Sequence, residues 1–156
     1  MSEDLKQQLT ITPIANEGEL LQALAIREVV FIEEQHVPEG IERDDDDARA
    51  YHLLAVRGGH AIGTGRLVKL REPPPGETGH WGKVGRMAVL QAERKGGVGS
   101  RILTQLEEEA RRQELAGIVL HAQTTALKFY EKHGYRAASA EFEEAGMPHL
   151  KMVKKL

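Results

Sequence analysis

The spacing of apolar positions changes several times along this chain, and each change marks an element. Leu9 to Ile14 is a short β-prone run closed by Pro13 and Asn16. Asn16 with Glu19 three residues later predicts a helix start of capping-box type. Leu20, Ala23, Leu24, the stem of Arg27, Val30 and Phe31 then continue at helical spacing. From Glu33 to Asp47 the period is lost. Pro38, Gly40 and four successive aspartates predict a loop there, with room for a short helical turn.

Tyr51 to Val56 is a nearly continuous apolar run of buried-strand type, and Gly58-Gly59 joins it to a second strand, Ala61 to Leu70, through a two-residue turn. Glu72 to Gly79 carries three prolines and predicts a surface loop. Val84 to Leu90 is a further strand. Val98, Ile102, Leu106 and Ala110 recur every fourth residue, which marks an amphipathic helix with Glu107, Glu109 and Arg112 outside. Ile118 to Ala122 reads as a buried strand and Ala126 to His133 as a short helix closed by Gly134. Tyr135 to Phe142 and Met147 to Val153 read as a last strand pair around Gly146. Strands that first pair by a hairpin and then alternate with helices imply a mixed sheet covered on both faces. With no repeat and no long linker, residues 1–156 are expected to form a single domain.

Composition narrows the class. The 156 residues are 40% hydrophobic and 29% charged, enough to bury a core without disulfides. Cysteine is absent, which excludes a thiol nucleophile and a cysteine-rich zinc site. The net charge of −3, scattered basic residues and 4% aromatic content argue against a nucleic-acid-binding protein. Met1 to Gln8 is polar, and no apolar stretch has membrane-spanning length, so a cytoplasmic protein without a membrane partner is expected.

Candidate chemistry concentrates where a strand runs through Gly85-Arg86-Met87-Ala88-Val89-Leu90 into Arg94-Lys95-Gly96-Gly97-Val98-Gly99-Ser100 and a helix. Successive backbone N–H groups in such a turn, together with the positive helix end, suit a pyrophosphate. Arg94 and Lys95 add cationic charge. A P-loop would need a lysine between Gly99 and Ser100, and a dinucleotide fingerprint a small residue at Ile102. Arg94, Gly97 and Gly99 instead match Arg/Gln-x-x-Gly-x-Gly, so the segment resembles the coenzyme A signature of the GNAT acetyltransferases. Ala126-Leu127-Lys128-Phe129-Tyr130-Glu131-Lys132-His133-Gly134-Tyr135 resembles the second motif of that family. Val30 to Gln35, Val37-Pro38-Glu39, Leu120-His121-Ala122-Gln123 and Gly146-Met147-Pro148-His149 resemble its ElaA-like and YjcF-like bacterial branch.

The resemblance implies a GNAT fold over Leu9 to Leu156, with a central twisted sheet of about seven strands and about four helices. It implies an N-acetyltransferase with acetyl-CoA as cosubstrate and no metal, acting by direct transfer in a ternary complex. Met87, Ala88 and Val89 would pair through their main chain with the pantetheine arm, where the fourth and fifth strands splay apart. Arg94, Lys95, Gly96, Gly97, Val98, Gly99 and Ser100 would hold the pyrophosphate. Tyr130 would touch the cofactor and protonate the departing sulfur, since a phenol and a thiol have comparable ordinary pKa values. The general base is left among Glu33, Glu34, His121 and His149, with Glu34 and His121 ranked first. Glu33, Glu34 and His149 are also the residues expected to border the acceptor, a small-molecule or peptide amine. A homodimer is compatible with this reading. Asp44 to Asp47 reads as a solvated acidic turn able to attract a cationic acceptor, because Arg49 stands where a calcium loop needs glycine. The rival readings are a non-catalytic acyl-CoA-binding or sensing module and a nucleotide-binding regulator.

Overall fold

A computed structural model describes residues 8–156, so the polar segment Met1 to Gln8 lies, apart from Gln8, outside the described residues. Strand β1 (Leu9–Pro13) leads through the Asn16 cap into helix α1 (Glu17–Arg27). Asn16 Oδ1 accepts from Glu19 N at 2.8 Å, while Glu19 Oε1 accepts from Ala15 N at 3.0 Å. The reciprocal bond thus falls one residue before the cap, and two end donors are still satisfied. Helix α2 (Glu39–Glu42), strands β2 (Tyr51–Arg57), β3 (His60–Lys69) and β4 (Trp81–Val89), and helix α3 (Val98–Arg112) follow. Strand β5 (Gly117–Gln123), helix α4 (Leu127–Lys132) and strands β6 (Arg136–Ala137), β7 (Phe142–Glu144) and β8 (Met147–Lys155) complete the order. The fold is mixed α/β, with eight strands and four α-helices among the described residues.

The chain divides into two compact units, and β3, β4 and α3 run through both. The first unit holds the residues up to Arg66 together with Arg86–Leu106. In it β1 pairs antiparallel with β2, Leu9 opposite Arg57 and Pro13 opposite Leu53. Gly58 and Gly59 have φ of 57° and 80°, the two left-handed residues that a tight hairpin turn requires. Helix α1 buries Ala23 and Ile26 against Leu54 and Ala88, with Val30 in the same cluster. Burying a side chain of Ile26's size contributes about 1.5–3 kcal/mol.

The second unit holds Leu67–Gly85 and Glu107–Leu156. Here β4 pairs in parallel with β5, and β5 pairs antiparallel with β8, which carries β6 and β7. Trp81, Val119 and Val153 form a buried cluster with Leu70 packed on it. The Trp81 indole N–H donates to Thr78 O at 3.0 Å, which satisfies the polar edge of the ring.

Two segments depart from the sequence reading. The expected loop from Glu33 is largely helical: α1 widens into a π-helical segment, Glu28–Glu34, and a 3-10 turn spans Asp45–Ala48. The aspartates drive that turn, because Asp44 accepts from Asp46 N at 3.1 Å and Asp47 accepts from Asp44 N at 3.4 Å. The expected strand from Tyr135 to Phe142 is broken into β6 and β7. Ser139 Oγ takes the place of a ladder carbonyl by accepting from Lys151 N at 2.9 Å, which interrupts the pairing.

Candidate functional site

The residues predicted to hold the donor lie in the first unit. Strand β4 contains Arg86 with φ of 51°, among the described residues the only strand position with positive φ. A non-glycine residue there costs about 1–2 kcal/mol and persists only when its surroundings hold it. Met87 and Val89 follow half-buried and Ala88 buried. The chain next makes a 3-10 turn, Gln91–Gly96, which the sequence reading missed, and reaches Gly97 with φ of 77°. A Cβ on Gly97 would meet nothing within 4 Å, so glycine serves the backbone conformation there rather than a tight fit. Helix α3 begins its ladder with Arg101 N donating to Gly97 O at 3.1 Å. The N–H groups of Val98 and Gly99 precede that ladder, at the positive end of a 15-residue helix. Gly96, Gly97 and Lys95 are exposed, and Gly99 and Ser100 half-buried. Val98 itself is buried; N–H groups left outside the ladder at a helix start, beside a cation, suit a pyrophosphate.

Arg94 is engaged elsewhere. Its two Nη atoms donate to the two Glu34 oxygens, each at 2.7 Å, and its Nε donates to Val89 O at 2.8 Å. The Arg94 hydrogen bonds hold the Glu34 carboxyl below its ordinary range, against a smaller effect of burial. Two residues predicted for separate tasks therefore form one bidentate pair, and Glu33 beside them is exposed.

Within the acidic run Asp44 and Asp47 are bound by arginines, whereas Asp45 is exposed and Asp46 pairs with the exposed Arg49. Asp44 takes a two-pronged bond from Arg66 at 2.7 and 2.8 Å. Asp47 accepts from Arg27 at 2.7 and 3.0 Å and from Arg66 at 2.7 Å. Burial alone would raise the Asp47 pKa, but the Arg27 and Arg66 bonds and charges outweigh it and bring it to about 2. Arg27 also donates to Glu42, and both residues are almost wholly buried.

The acid–base candidates His121, His149 and Tyr130 lie in the second unit. The parallel ladder of β4 with β5 ends at Val84 opposite Leu120, whereas β5 continues through Gln123 on β8. His121 is therefore the first β5 residue past that ladder. Directly opposed residues share a face of a sheet. His121 opposes Lys151, Phe142 opposes His149 and Glu144 opposes Met147, and period two along β8 puts all six on one face. On it His121 Nδ1 meets Glu144 Oε1 at 2.9 Å. A carboxylate only accepts, so Nδ1 carries the proton and the neutral ring keeps its lone pair at Nε2. Burial lowers the His121 pKa, the Glu144 hydrogen bond opposes this, and Lys83 and Lys151 add to the lowering. His149 is 5% exposed, donates from Nδ1 to Met147 O at 2.8 Å and stacks on Phe142.

Tyr130 sits half-buried on α4, edge-on to Phe129 and Tyr135. Burial pushes its phenol up to about 12. Glu107, expected on the outer face of its helix, is instead buried: Tyr135 Oη donates to its carboxylate at 2.8 Å and Lys154 contacts it at 3.0 Å. Sequence reasoning missed Glu144. Its only signal was the Ala145-Gly146 turn, whose φ values of 52° and 78° fix β7 on β8.

Comparison with known proteins agrees with this architecture. The family described as acetyltransferase (GNAT) domain matches residues 13–156. A Bacillus subtilis protein described as the uncharacterized N-acetyltransferase YjcF is 39% identical over 140 residues, covering 89% of this chain and 94% of its own. An acyl-CoA N-acyltransferase from Pseudomonas aeruginosa superposes with a TM-score of 0.73 at 26% identity, over 95% of this chain and 99% of that one. Escherichia coli ElaA gives 0.80 at 24% identity, over 94% and 99%, a likeness of fold. The chain belongs to the GNAT acetyltransferase family. It is accordingly an acyltransferase of the acyl-CoA-dependent kind, similar to YjcF and ElaA.

Proposed function

We propose that this chain moves an acetyl group from acetyl-CoA to an amine by direct transfer, with His121 as general base and Tyr130 assisting the leaving sulfur. Acetyl-CoA supplies the activated thioester carbonyl. In the first unit, the N–H groups at the start of α3, with Lys95 beside them, hold its pyrophosphate. The main chain of Met87 to Val89 orients the arm. A strand N–H in the Arg86 to Ala88 region donates to the oxyanion as the amine nitrogen bonds to carbon. In the second unit, His121 Nε2 takes the amine proton as the carbon–sulfur bond breaks. Burial pushes the Tyr130 phenol up to about 12, so it stays protonated and donates a hydrogen bond to the departing sulfur.

The observation that carries this reading is the His121–Glu144 pair at the end of the β4–β5 ladder. A binding module needs no imidazole lone pair oriented by a carboxylate. Glu34, with both oxygens on Arg94, is the poorer base. The test is release of free CoA in a panel of amines, with His121→Gln beside the wild type. The expected outcome is turnover with at least one amine, a kcat lower by about 10²–10⁴ in the variant, and unchanged acetyl-CoA binding. Binding without turnover on any amine would assign the protein to acyl-CoA sensing instead.

A further inference from the structure

Arg86 stands in an unfavourable backbone region inside a strand, and its side chain offers a reason. Its Nε donates to Glu42 O at 2.9 Å, and its Nη2 to Ile41 O at 3.3 Å and Asp44 Oδ2 at 3.1 Å. Those acceptors are themselves fixed. Glu42 O also accepts from Arg27 at 3.0 Å, and Asp44 is held by the Arg66 fork. Asp47 ties Arg27 to Arg66, so α1, β3 and β4 are all anchored to the segment from Ile41 to Asp47. Arg27 and Glu42 are buried and Arg66 nearly so, while Arg86 and Asp44 keep partial exposure; each of these groups is paired, although Glu42 Oε2 has no hydrogen-bond partner among the described residues. Such an arrangement at one irregular residue points to a positional task.

We propose that Arg86 is a positioning residue: its guanidinium, hooked on the carbonyls of Ile41 and Glu42 and on Asp44, holds β4 in its left-handed step and thereby aims the backbone groups of Met87 to Val89 at the acyl donor. The role of Met87 to Val89 rests on the function proposed above; the hook itself does not. Asp44 directly, and Asp47 through Arg27 and Arg66, thereby serve the donor strand.

Arg86→Gly separates hook from conformation, because glycine adopts positive φ without strain but cannot reach the loop. Arg86→Lys keeps the charge and loses the fork. Hydrogen exchange and acetyl-CoA titration calorimetry would be run on both variants and the wild type. Both variants should show roughly tenfold faster exchange at Met87 to Val89, with β5 amides unchanged. Acetyl-CoA should bind about tenfold more weakly, with its KM raised and the amine KM unaffected. Wild-type exchange at Met87 to Val89 in either folded variant overturns the hook. If the wild-type chain binds no acetyl-CoA, the donor assignment fails by itself, and the exchange result still decides the hook.

Discussion

In the first unit, Glu34, Asp44 and Asp47 each meet an arginine fork; in the second, His121 meets one carboxylate through one ring nitrogen. The first arrangement uses both oxygens of each carboxylate and holds their pKa values low. Such groups stabilise the protein and make weak proton acceptors. The second arrangement leaves a lone pair on a ring whose pKa burial lowers and the Glu144 hydrogen bond supports. A count of acidic and basic residues does not separate these cases; the partners do.

The contrast can be broken at four points, taken from the largest effect down. If the first unit's contribution to chemistry is main chain, one charge in the turn should matter most. Gly97→Asp is expected to weaken acetyl-CoA binding by roughly a hundredfold, equivalent to about 3 kcal/mol. Gly97→Ala, which shares the unfavourable φ but adds no charge, should lose clearly less. Equal losses in calorimetry would mean that backbone strain, not an anion site, explains the effect.

Next comes Tyr130 in the second unit. Tyr130→Phe keeps the ring contacts with Phe129 and Tyr135 and removes the donor. A fall in kcat of about tenfold to a thousandfold is expected, with cofactor affinity little changed. Unaltered turnover would make the hydroxyl structural.

The arginine-locked carboxylates should register in stability rather than rate. Asp47 has a folded pKa of about 2, below the ordinary value of about 3.9. Its contribution is complete above about pH 3.9 and is lost as pH falls toward 2. Asp47→Asn should cost about 2–4 kcal/mol at neutral pH, since it also strips a partner from buried Arg27. Its stability should then fall less steeply than the wild type between pH 4 and pH 2 in denaturant titrations. A variant as stable as the wild type would remove the network from the account.

Elements built on local chemistry could be read from the sequence: the Asn16 cap, the Gly58-Gly59 turn and the four-residue repeat through Val98, Ile102 and Leu106 all specify their own geometry. The glycine turn and the Tyr130 helix were legible for the same reason. What stayed hidden depends on register and on distant partners. Glu144 reaches His121 across 23 residues, and Arg94 reaches Glu34 across 60. The positive φ of Arg86 has no local cause, because the acceptors that hold its side chain lie more than 40 residues away.

The smallest and most discriminating effect is a shift in a pH profile. His121 must be neutral to act as a base, so the rate falls as pH drops through its pKa. Glu144 raises that pKa against burial, Lys83 and Lys151. Glu144→Gln should therefore move the acidic limb to lower pH and lower the plateau by about tenfold. Glu34→Gln should leave the limb in place. The direct measurement is CoA release against pH for wild type, Glu144→Gln and Glu34→Gln, with the most reactive amine of the panel. A limb displaced only in Glu144→Gln is the predicted result; a limb displaced by Glu34→Gln and untouched by Glu144→Gln would contradict the assignment of His121.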